Sequence, residues 1–200
     1  MKLLVHTCCA PCAICVINEA KKDDLSVTGF FYNSNIHPRP EYLKRMEVAR
    51  KYFKSEGLEF IFLTYEPADF METLQMETPR RNGVSPKSGV SPSGVSPSVP
   101  PRCSACWEMR VAKSVDFAQN NGFDFFTTTL LGSPYQDHGA LRGICEDLSR
   151  STGVRFYYKD FRTGFRRAHN IAREKGIYCQ KYCGCVFSIV EREEARKRKK

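Results

Sequence analysis

Short apolar runs alternate with longer amphipathic segments along the chain. The apolar runs predict strands at residues 3–6, 25–32, 58–65, 123–130 and 154–161. Segments with apolar residues three or four positions apart predict helices at residues 11–22, 40–56, 67–75, 103–121, 138–152 and 164–174. This alternation is typical of parallel sheets with right-handed crossovers. We therefore predict an α/β fold, an open doubly wound parallel sheet of about five strands with helices on both faces.

Polar or metal-binding residues follow the predicted strands. In Rossmann-like and HUP-like sheets, ligands bind beyond the carboxyl ends of the strands. The segments found there are Cys8-Cys9, Asn33-Ser34-Asn35, Tyr65-Glu66, residues 133–138, Asp160 and Arg162. We therefore predict that the functional site lies at this edge of the sheet.

Residues 82–101 interrupt the alternation and contain Gly-Val-Ser-Pro three times. A segment this rich in Ser, Pro and Gly buries too little apolar surface to offset the entropy cost of ordering it. We predict a mobile low-complexity loop, with a flap over the site as the alternative. The rest of residues 1–200 is predicted to form one α/β metalloenzyme domain that ends in a basic, frayed helical tail at 191–200.

The cellular location decides how the ten cysteines are interpreted. No apolar run approaches the roughly 20 residues of a membrane span, and the apolar N-terminal stretch is too short for a signal peptide. We therefore predict a soluble, cytoplasmic protein without a membrane partner. In the reducing cytoplasm, clustered cysteines are more often metal ligands or catalytic groups than structural disulfides.

Two pairs of cysteines predict a metal site. Cys8 and Cys9 lie where a strand meets a helix, and the helix N-terminus favours the thiolate form that binds metals. Cys103 and Cys106 lie one helical turn apart on one face. Four thiolates are the usual ligand set of a cubane iron–sulfur cluster or a structural zinc, and the spacing leaves both open.

The remaining cysteines have different predicted roles. Cys12 lies one turn beyond the first pair and is an alternative ligand, whereas Cys15 and Cys145 are predicted to pack in the interior. Cys183 and Cys185 flank one glycine and could close a strained, redox-active disulfide. A turn without redox function, or an additional set of metal ligands, is the alternative for this pair.

The net charge of +9 indicates an anionic partner, with nucleic acid as the first candidate and a solvated basic surface as the alternative. Nucleotide chemistry is disfavoured, because the loop after the first strand contains neither a GxGxxG motif nor a GxxxxGK[ST] motif.

Several motifs together resemble the QueH family of epoxyqueuosine reductases. They are His-Thr-Cys-Cys-Ala-Pro-Cys at 6–12, Tyr-Asn-Ser-Asn-Ile-His-Pro at 32–38, Arg-Cys-Ser-Ala-Cys-Trp at 102–107, Thr-Thr-Thr-Leu-Leu-Gly-Ser-Pro-Tyr-Gln-Asp-His at 127–138, Lys-Asp-Phe-Arg at 159–162 and Gln-Lys-Tyr-Cys-Gly-Cys at 180–185. The resemblance covers nearly the whole chain, in order. The repeated Gly-Val-Ser-Pro segment departs from the family pattern just before Cys103.

The resemblance implies an oxidoreductase that carries out the last step of queuosine biosynthesis. The epoxide of epoxyqueuosine, at the wobble position of tRNA, would be reduced to a cyclopentene without cobalamin, using electrons from an unidentified donor. The resemblance also implies a [4Fe–4S] cluster bound by Cys8, Cys9, Cys103 and Cys106. It implies that Cys183 and Cys185 form a redox-active pair.

Further roles are predicted around this reaction. A second metal is predicted near Cys12, and the groups that could bind it or donate protons are Asp137, His138 and Asp160, with structural hydrogen bonding as the alternative. The predicted tRNA-binding residues are Arg162, Arg166 and Arg167. Two competing hypotheses are a zinc-stabilised RNA-binding module without catalysis and a thiol oxidoreductase without metal.

Overall fold

The computed structural model describes residues 1–77 and 99–198 and contains a five-stranded parallel sheet. The strands are β1 (Lys2–His6), β2 (Ser26–Phe31), β3 (Glu59–Phe62), β4 (Phe125–Thr128) and β5 (Arg155–Phe156). Their order across the sheet is β3-β2-β1-β4-β5, and every neighbouring pair is parallel. The prediction of a parallel α/β sheet is confirmed.

Helices connect the strands and continue beyond the last one. They are α1 (Ala10–Lys22), α2 (Arg39–Ser55), α3 (Pro67–Glu77), α4 (Pro101–Asn120), α5 (His138–Thr152), α6 (Phe165–Glu174) and α7 (Val186–Lys197). Two short 3₁₀ helices, Thr129–Gly132 and Phe161–Gly164, follow β4 and β5. None of the helices within the described ranges combines the length and apolarity that a membrane span requires.

β1 lies at the centre of the sheet and is packed on both faces. Leu3 and Val5 belong to a core cluster with α1, whereas Leu4 packs with Val111 and Val115 of α4 on the other face. Alternate residues of a strand point to opposite faces, so helices cover both sides of the sheet. This is the predicted doubly wound arrangement.

Some element boundaries differ from the prediction. The fifth strand was predicted over residues 154–161, but β5 contains only Arg155 and Phe156. It pairs with β4 alone, at the edge of the sheet, and Asp160 already caps the following 3₁₀ helix. The C-terminal helix begins at Val186, before the predicted tail.

The predicted low-complexity loop lies largely outside the described residues. Residues 82–98 of this loop and residues 199–200 of the tail are not among them, and Pro101 already belongs to α4. Cys15 and Cys145 are buried in the two clusters beside β1, as predicted.

Candidate metal and redox site

The site lies between β1 and β4, where the order of the strands across the sheet reverses. The chain leaves β1 to form α1 on one face, and α4, which precedes β4, covers the other face. β1 and β4 are neighbours, so the loops after them diverge and leave a crevice at their carboxyl ends. Cys8 and Cys9 follow β1, and Thr129 follows β4.

Three thiols lie together at the start of α1. Cys9 is the N-cap of this helix, and the sulfur atoms of Cys8, Cys9 and Cys12 all lie within 4.8 Å of one another. The Sγ atoms of Cys8 and Cys9 are 3.8 Å apart. Tetrahedral thiolate ligands at about 2.3 Å from one metal ion would have sulfurs about 3.8 Å apart. This group can therefore hold a metal.

The three thiols share negative charge unequally. Hydrogen bonds from the thiols of Cys12 and Cys9 hold the pKa of Cys8 well below its ordinary value. Thr129 adds a hydroxyl that lies 3.2 Å from the Cys8 sulfur and accepts a hydrogen bond from the Cys8 N–H. Burial raises the pKa of Cys9, and the hydrogen bond to Cys8 raises that of Cys12. Cys8 is thus the preferred thiolate.

Arg110 brings a buried positive charge to the sulfur atoms. It is 2% exposed and donates one hydrogen bond, 2.5 Å long, to Oδ1 of Asn33. Its Nε has no partner, and no carboxylate in residues 1–77 or 99–198 forms an ion pair with it. Burial raises the pKa of Cys106, and the Arg110 guanidinium opposes this shift.

A buried cation of this kind requires a compensating negative charge. The thiolate of Cys8 can supply part of this charge, because the positive charge of Arg110 contributes to lowering the pKa of Cys8. A soft donor set of several thiols beside a fixed cation fits an anionic metal–thiolate centre.

Cys183 and Cys185 flank a turn that is held in place by Arg45 of α2 and by His37 of the loop between β2 and α2. Arg45 donates hydrogen bonds of 2.8 Å and 3.0 Å to the carbonyls of Cys183 and Tyr182. The carbonyl of Gly184 accepts a 2.8 Å hydrogen bond from the His37 N–H. Both cysteines are free thiols.

Only glycine fits comfortably between these two cysteines. Gly184 has a φ of +139°, a backbone conformation that L side chains rarely adopt. A Cβ atom at this position would lie 3.0 Å from Cγ1 of Ile36 and 3.4 Å from the Arg45 guanidinium. The backbone of the Cys-Gly-Cys turn therefore lies directly against the loop after β2.

A cavity of about 710 Å³ opens beside the thiols. Cys8, Cys12 and Cys183 line it, and none of its described lining residues is acidic. The cations and aromatic residues in its wall are Arg110, Arg166, Arg173, Lys181, Tyr135, Phe165 and Tyr182. Its chemistry suits an anionic ligand that carries planar rings.

A family model described as "Epoxyqueuosine reductase QueH" matches residues 3–87 and 89–191. The chain belongs to the epoxyqueuosine reductase QueH family. The relative from Dehalococcoides mccartyi, named epoxyqueuosine reductase QueH, is 32% identical over 192 residues, which are 96% of this chain and 94% of the relative. The relative of the same name from Thermotoga maritima is 30% identical over 195 residues, or 96% of this chain and 92% of the relative.

Among solved structures, a predicted subunit of a tRNA methyltransferase from Methanocaldococcus jannaschii matches with a TM-score of 0.46 and 11% identity. This match covers 86% of the present chain and 76% of the other.

Several cysteines predicted from the QueH motifs interact electrostatically with one another. Cys8 and Cys183 line the cavity, and the pKa of Cys183 responds to the charges of Cys106, Cys185 and Cys8. The pKa of Cys103, raised by burial to about 11, responds in turn to Cys106 and Cys185. The three sulfur atoms that lie closest together, however, include Cys12 rather than a cysteine of α4.

The predicted acidic residues have structural contacts outside the cavity lining. Asp137 is the N-cap of α5 and accepts a 2.8 Å hydrogen bond from the Ala140 N–H. Asp160 accepts two hydrogen bonds from the Arg162 guanidinium, which hold its pKa down at about 2. These contacts favour the structural alternative for both carboxylates, and their catalytic role stays a prediction.

The three predicted tRNA-binding arginines and His138 lie in different surroundings. Arg166 lines the cavity, whereas Arg162 is paired with Asp160, and Arg167 is absent from the lining. His138 lies 3.1 Å from the Tyr158 hydroxyl, and burial lowers its pKa.

Several residues at the site were not predicted from the sequence. Arg110 is one: it lies four residues after Cys106 and seven after Cys103, on the same face of α4, and this spacing could have revealed it. Gln180 donates a 2.9 Å hydrogen bond to the Cys9 sulfur, and His169 lines the cavity with an Nε2 atom that has no hydrogen-bond partner within residues 1–77 and 99–198. Gln180 is the first residue of the motif at 180–185, which could have revealed it, whereas no local signal distinguishes His169 from a surface polar residue.

Proposed function

We propose that this member of the QueH family reduces the epoxide of epoxyqueuosine in tRNA to the alkene of queuosine, and that the oxygen leaves as water. The observation that carries the proposal is that cysteines from two segments far apart in sequence, Cys8 with Cys12 and Cys183, line one cavity with a basic and aromatic wall. The relatives named for this reaction match along nearly the whole chain. The proposed location is the cytoplasm.

We propose that Cys8, Cys9, Cys103 and Cys106 hold a [4Fe–4S] cluster. The burial of Cys9 and Cys106, the depressed pKa of Cys8 and the uncompensated Arg110 all support an anionic thiolate centre. When bound, such a cluster supplies electrons one at a time. Cys12, whose sulfur lies within 4.8 Å of those of Cys8 and Cys9, is the proposed thiol ligand of a second, mononuclear metal beside the cluster.

Cys183 and Cys185 match the electron demand of the reaction. Removing an epoxide oxygen as water requires two electrons and two protons. Two thiols release two electrons and two protons when they form one disulfide, so one dithiol balances one epoxide. Cys183 is exposed and lines the cavity, so both the substrate and an external reductant can reach it. An external reductant then reopens the disulfide.

Arg110, Arg166, Arg173 and Lys181 give the cavity wall its charge. Cations in this arrangement neutralise phosphates, and single-stranded RNA loops present bases that can leave the stack to enter a pocket. Extruding a base from an anticodon loop costs at most a few kcal/mol, because the loop is unpaired. Backbone contacts can therefore supply affinity while the cavity supplies specificity.

The test of this function is a reduction assay on anaerobically purified protein. An anticodon stem-loop that carries epoxyqueuosine, incubated with a chemical reductant, is expected to lose one oxygen, as measured by mass spectrometry of the released nucleosides. Iron, sulfide and zinc are measured in the same preparation. A colourless protein with stoichiometric zinc that binds the RNA and leaves the epoxide intact would establish the RNA-binding module instead.

Affinity for tRNA is expected to depend on Arg166 and on salt. Arg166→Ala should lower the magnitude of the log–log salt slope by about 0.7 to 0.9, because one phosphate contact is lost. Arg50→Ala removes the same charge from an exposed ion pair with Glu47 on α2, outside the cavity lining, and is the matched control. Titrations over a salt series measure both slopes. Parent binding that is independent of salt, or equal slopes for the two variants, would contradict this expectation.

A further inference from the structure

Tyr135 is an exposed aromatic residue beside the proposed active site. We propose that it binds, by stacking, the nucleobase next to the modified nucleotide, so that the enzyme acts on a stretch of RNA rather than on a free nucleoside. This inference rests on the proposed function and adds a second subsite to it. The ligand class is a single-stranded oligonucleotide.

The exposure of Tyr135 has no explanation in the packing of the fold. Its side chain is 83% exposed, more than any other large hydrophobic side chain in the described part of the chain. It nevertheless lies in a defined position, two residues before the Asp137 N-cap of α5, and its N–H donates a hydrogen bond of 3.3 Å to Ser133. The ring is therefore presented by a structured turn at the carboxyl end of β4.

A second aromatic group supports the ring from α6. The Tyr135 and Phe165 rings pack edge to face, with centroids 6.1 Å apart and an angle of 82° between planes. The Phe165 ring lies 4.2 Å from the His169 ring, one turn further along α6. All three residues line the same cavity as Cys8 and Cys183. The aromatic surface is thus continuous with the proposed reaction site.

The positive charge around Tyr135 favours an anionic ligand. Arg166 and Arg173 lie on the same helix as Phe165 and line the cavity, and no described lining residue is acidic. Aromatic side chains interleaved with cations are the usual surface for single-stranded nucleic acid, where bases stack on rings and phosphates contact the cations. When one base enters the pocket, the neighbouring base is unstacked and needs a new partner.

The test compares RNA binding by Tyr135→Ala and Tyr135→Phe. Alanine should weaken binding of an unmodified anticodon stem-loop by about 5- to 150-fold, the range for the loss of one base–aromatic stack, whereas phenylalanine should bind like the parent. The salt slope should be unchanged in both variants, because no phosphate contact is lost. Phe62→Ala, which removes a half-exposed ring of β3 outside the cavity lining, is the control.

An abasic substitution identifies which nucleotide is stacked. If Tyr135 stacks on a base that flanks the wobble position, the parent should lose affinity for RNA abasic at that position, and Tyr135→Ala should bind the abasic and intact RNA equally. Parent-like binding by Tyr135→Ala would overturn the inference. So would an abasic effect on affinity that depends on Tyr135 only when the wobble base itself is removed. Reduction of the epoxide is measured separately, so the proposed function can hold when the stacking subsite fails.

Discussion

Cys106→Ser protein, purified without oxygen, is expected to lose the iron and sulfide that the parent retains. Cys106 is buried on α4, where it faces the same cation as the thiols after β1. A serine hydroxyl at this depth is a poor ligand for a soft metal centre, and three remaining thiolates leave one corner of a cubane unbound. Metal and sulfide analysis, together with the visible absorption spectrum, measures the loss. Cys8→Ser, Cys9→Ser and Cys103→Ser should behave in the same way.

Two further serine variants make this assignment decisive. Cys179→Ser changes a partly buried thiol that donates only to the Ile177 carbonyl, and it should retain the cluster. Cys12→Ser should also retain the cluster if Cys12 serves only a second metal. If Cys12→Ser loses the metal while Cys103→Ser and Cys106→Ser keep it, the centre is a mononuclear site at the start of α1, and the proposed ligand set is wrong.

The sequence predicted the sheet and the position of its ligand-binding edge because both follow from local pattern. β1 and β4 are short apolar runs, and a cysteine pair or a polar segment follows each of them. In a parallel sheet, residues that follow the strands lie at the same edge regardless of the length and conformation of the connecting loops. The grouping of Cys8 with Cys9 at the start of α1 could therefore be predicted without any tertiary information.

The residues that hold the turn around Cys183 in place could not be predicted in this way, because they include a buried charged side chain. Apolar spacing in α2 favours Leu43 as a core residue, yet Leu43 is 43% exposed and Arg45 is 2% exposed. Arginine is rarely buried, so no periodicity argument selects it. Arg45 is buried because Glu41, one turn earlier, pairs with it and because the carbonyls of Tyr182 and Cys183 accept its remaining hydrogen bonds.

Long-range contacts of this kind also bring the segment that contains Cys183 and Cys185 to the site. Arg45 and Cys183 are 138 residues apart in sequence, and the motif around Cys183 carries no local signal of its partner. The same holds for Gln180 and Cys9, which are 171 residues apart. Sequence spacing identified which residues carry chemistry, but their assembly around one cavity depends on the tertiary structure.

Cys185→Ala protein is expected to keep its full complement of iron and sulfide but to lose turnover. The turn that carries Cys185 is held through backbone carbonyls, by Arg45 and His37, so removal of this thiol leaves the turn in place. Without Cys185, Cys183 has no neighbour with which to form the one-glycine disulfide, and the two-electron exchange with the epoxide cannot be completed. Steady-state conversion of an epoxyqueuosine-containing stem-loop, normalised to iron content, measures the effect.

Cys179→Ala is the matched control, because it removes a thiol from the same C-terminal group without touching the turn. It should turn over like the parent. Alkylation of thiols after one turnover adds an independent readout: the parent should lose two reactive thiols, assigned to Cys183 and Cys185 by peptide mass, and Cys185→Ala should lose none. Parent-like turnover by Cys185→Ala would show that this pair is structural and that the electrons reach the substrate by another route.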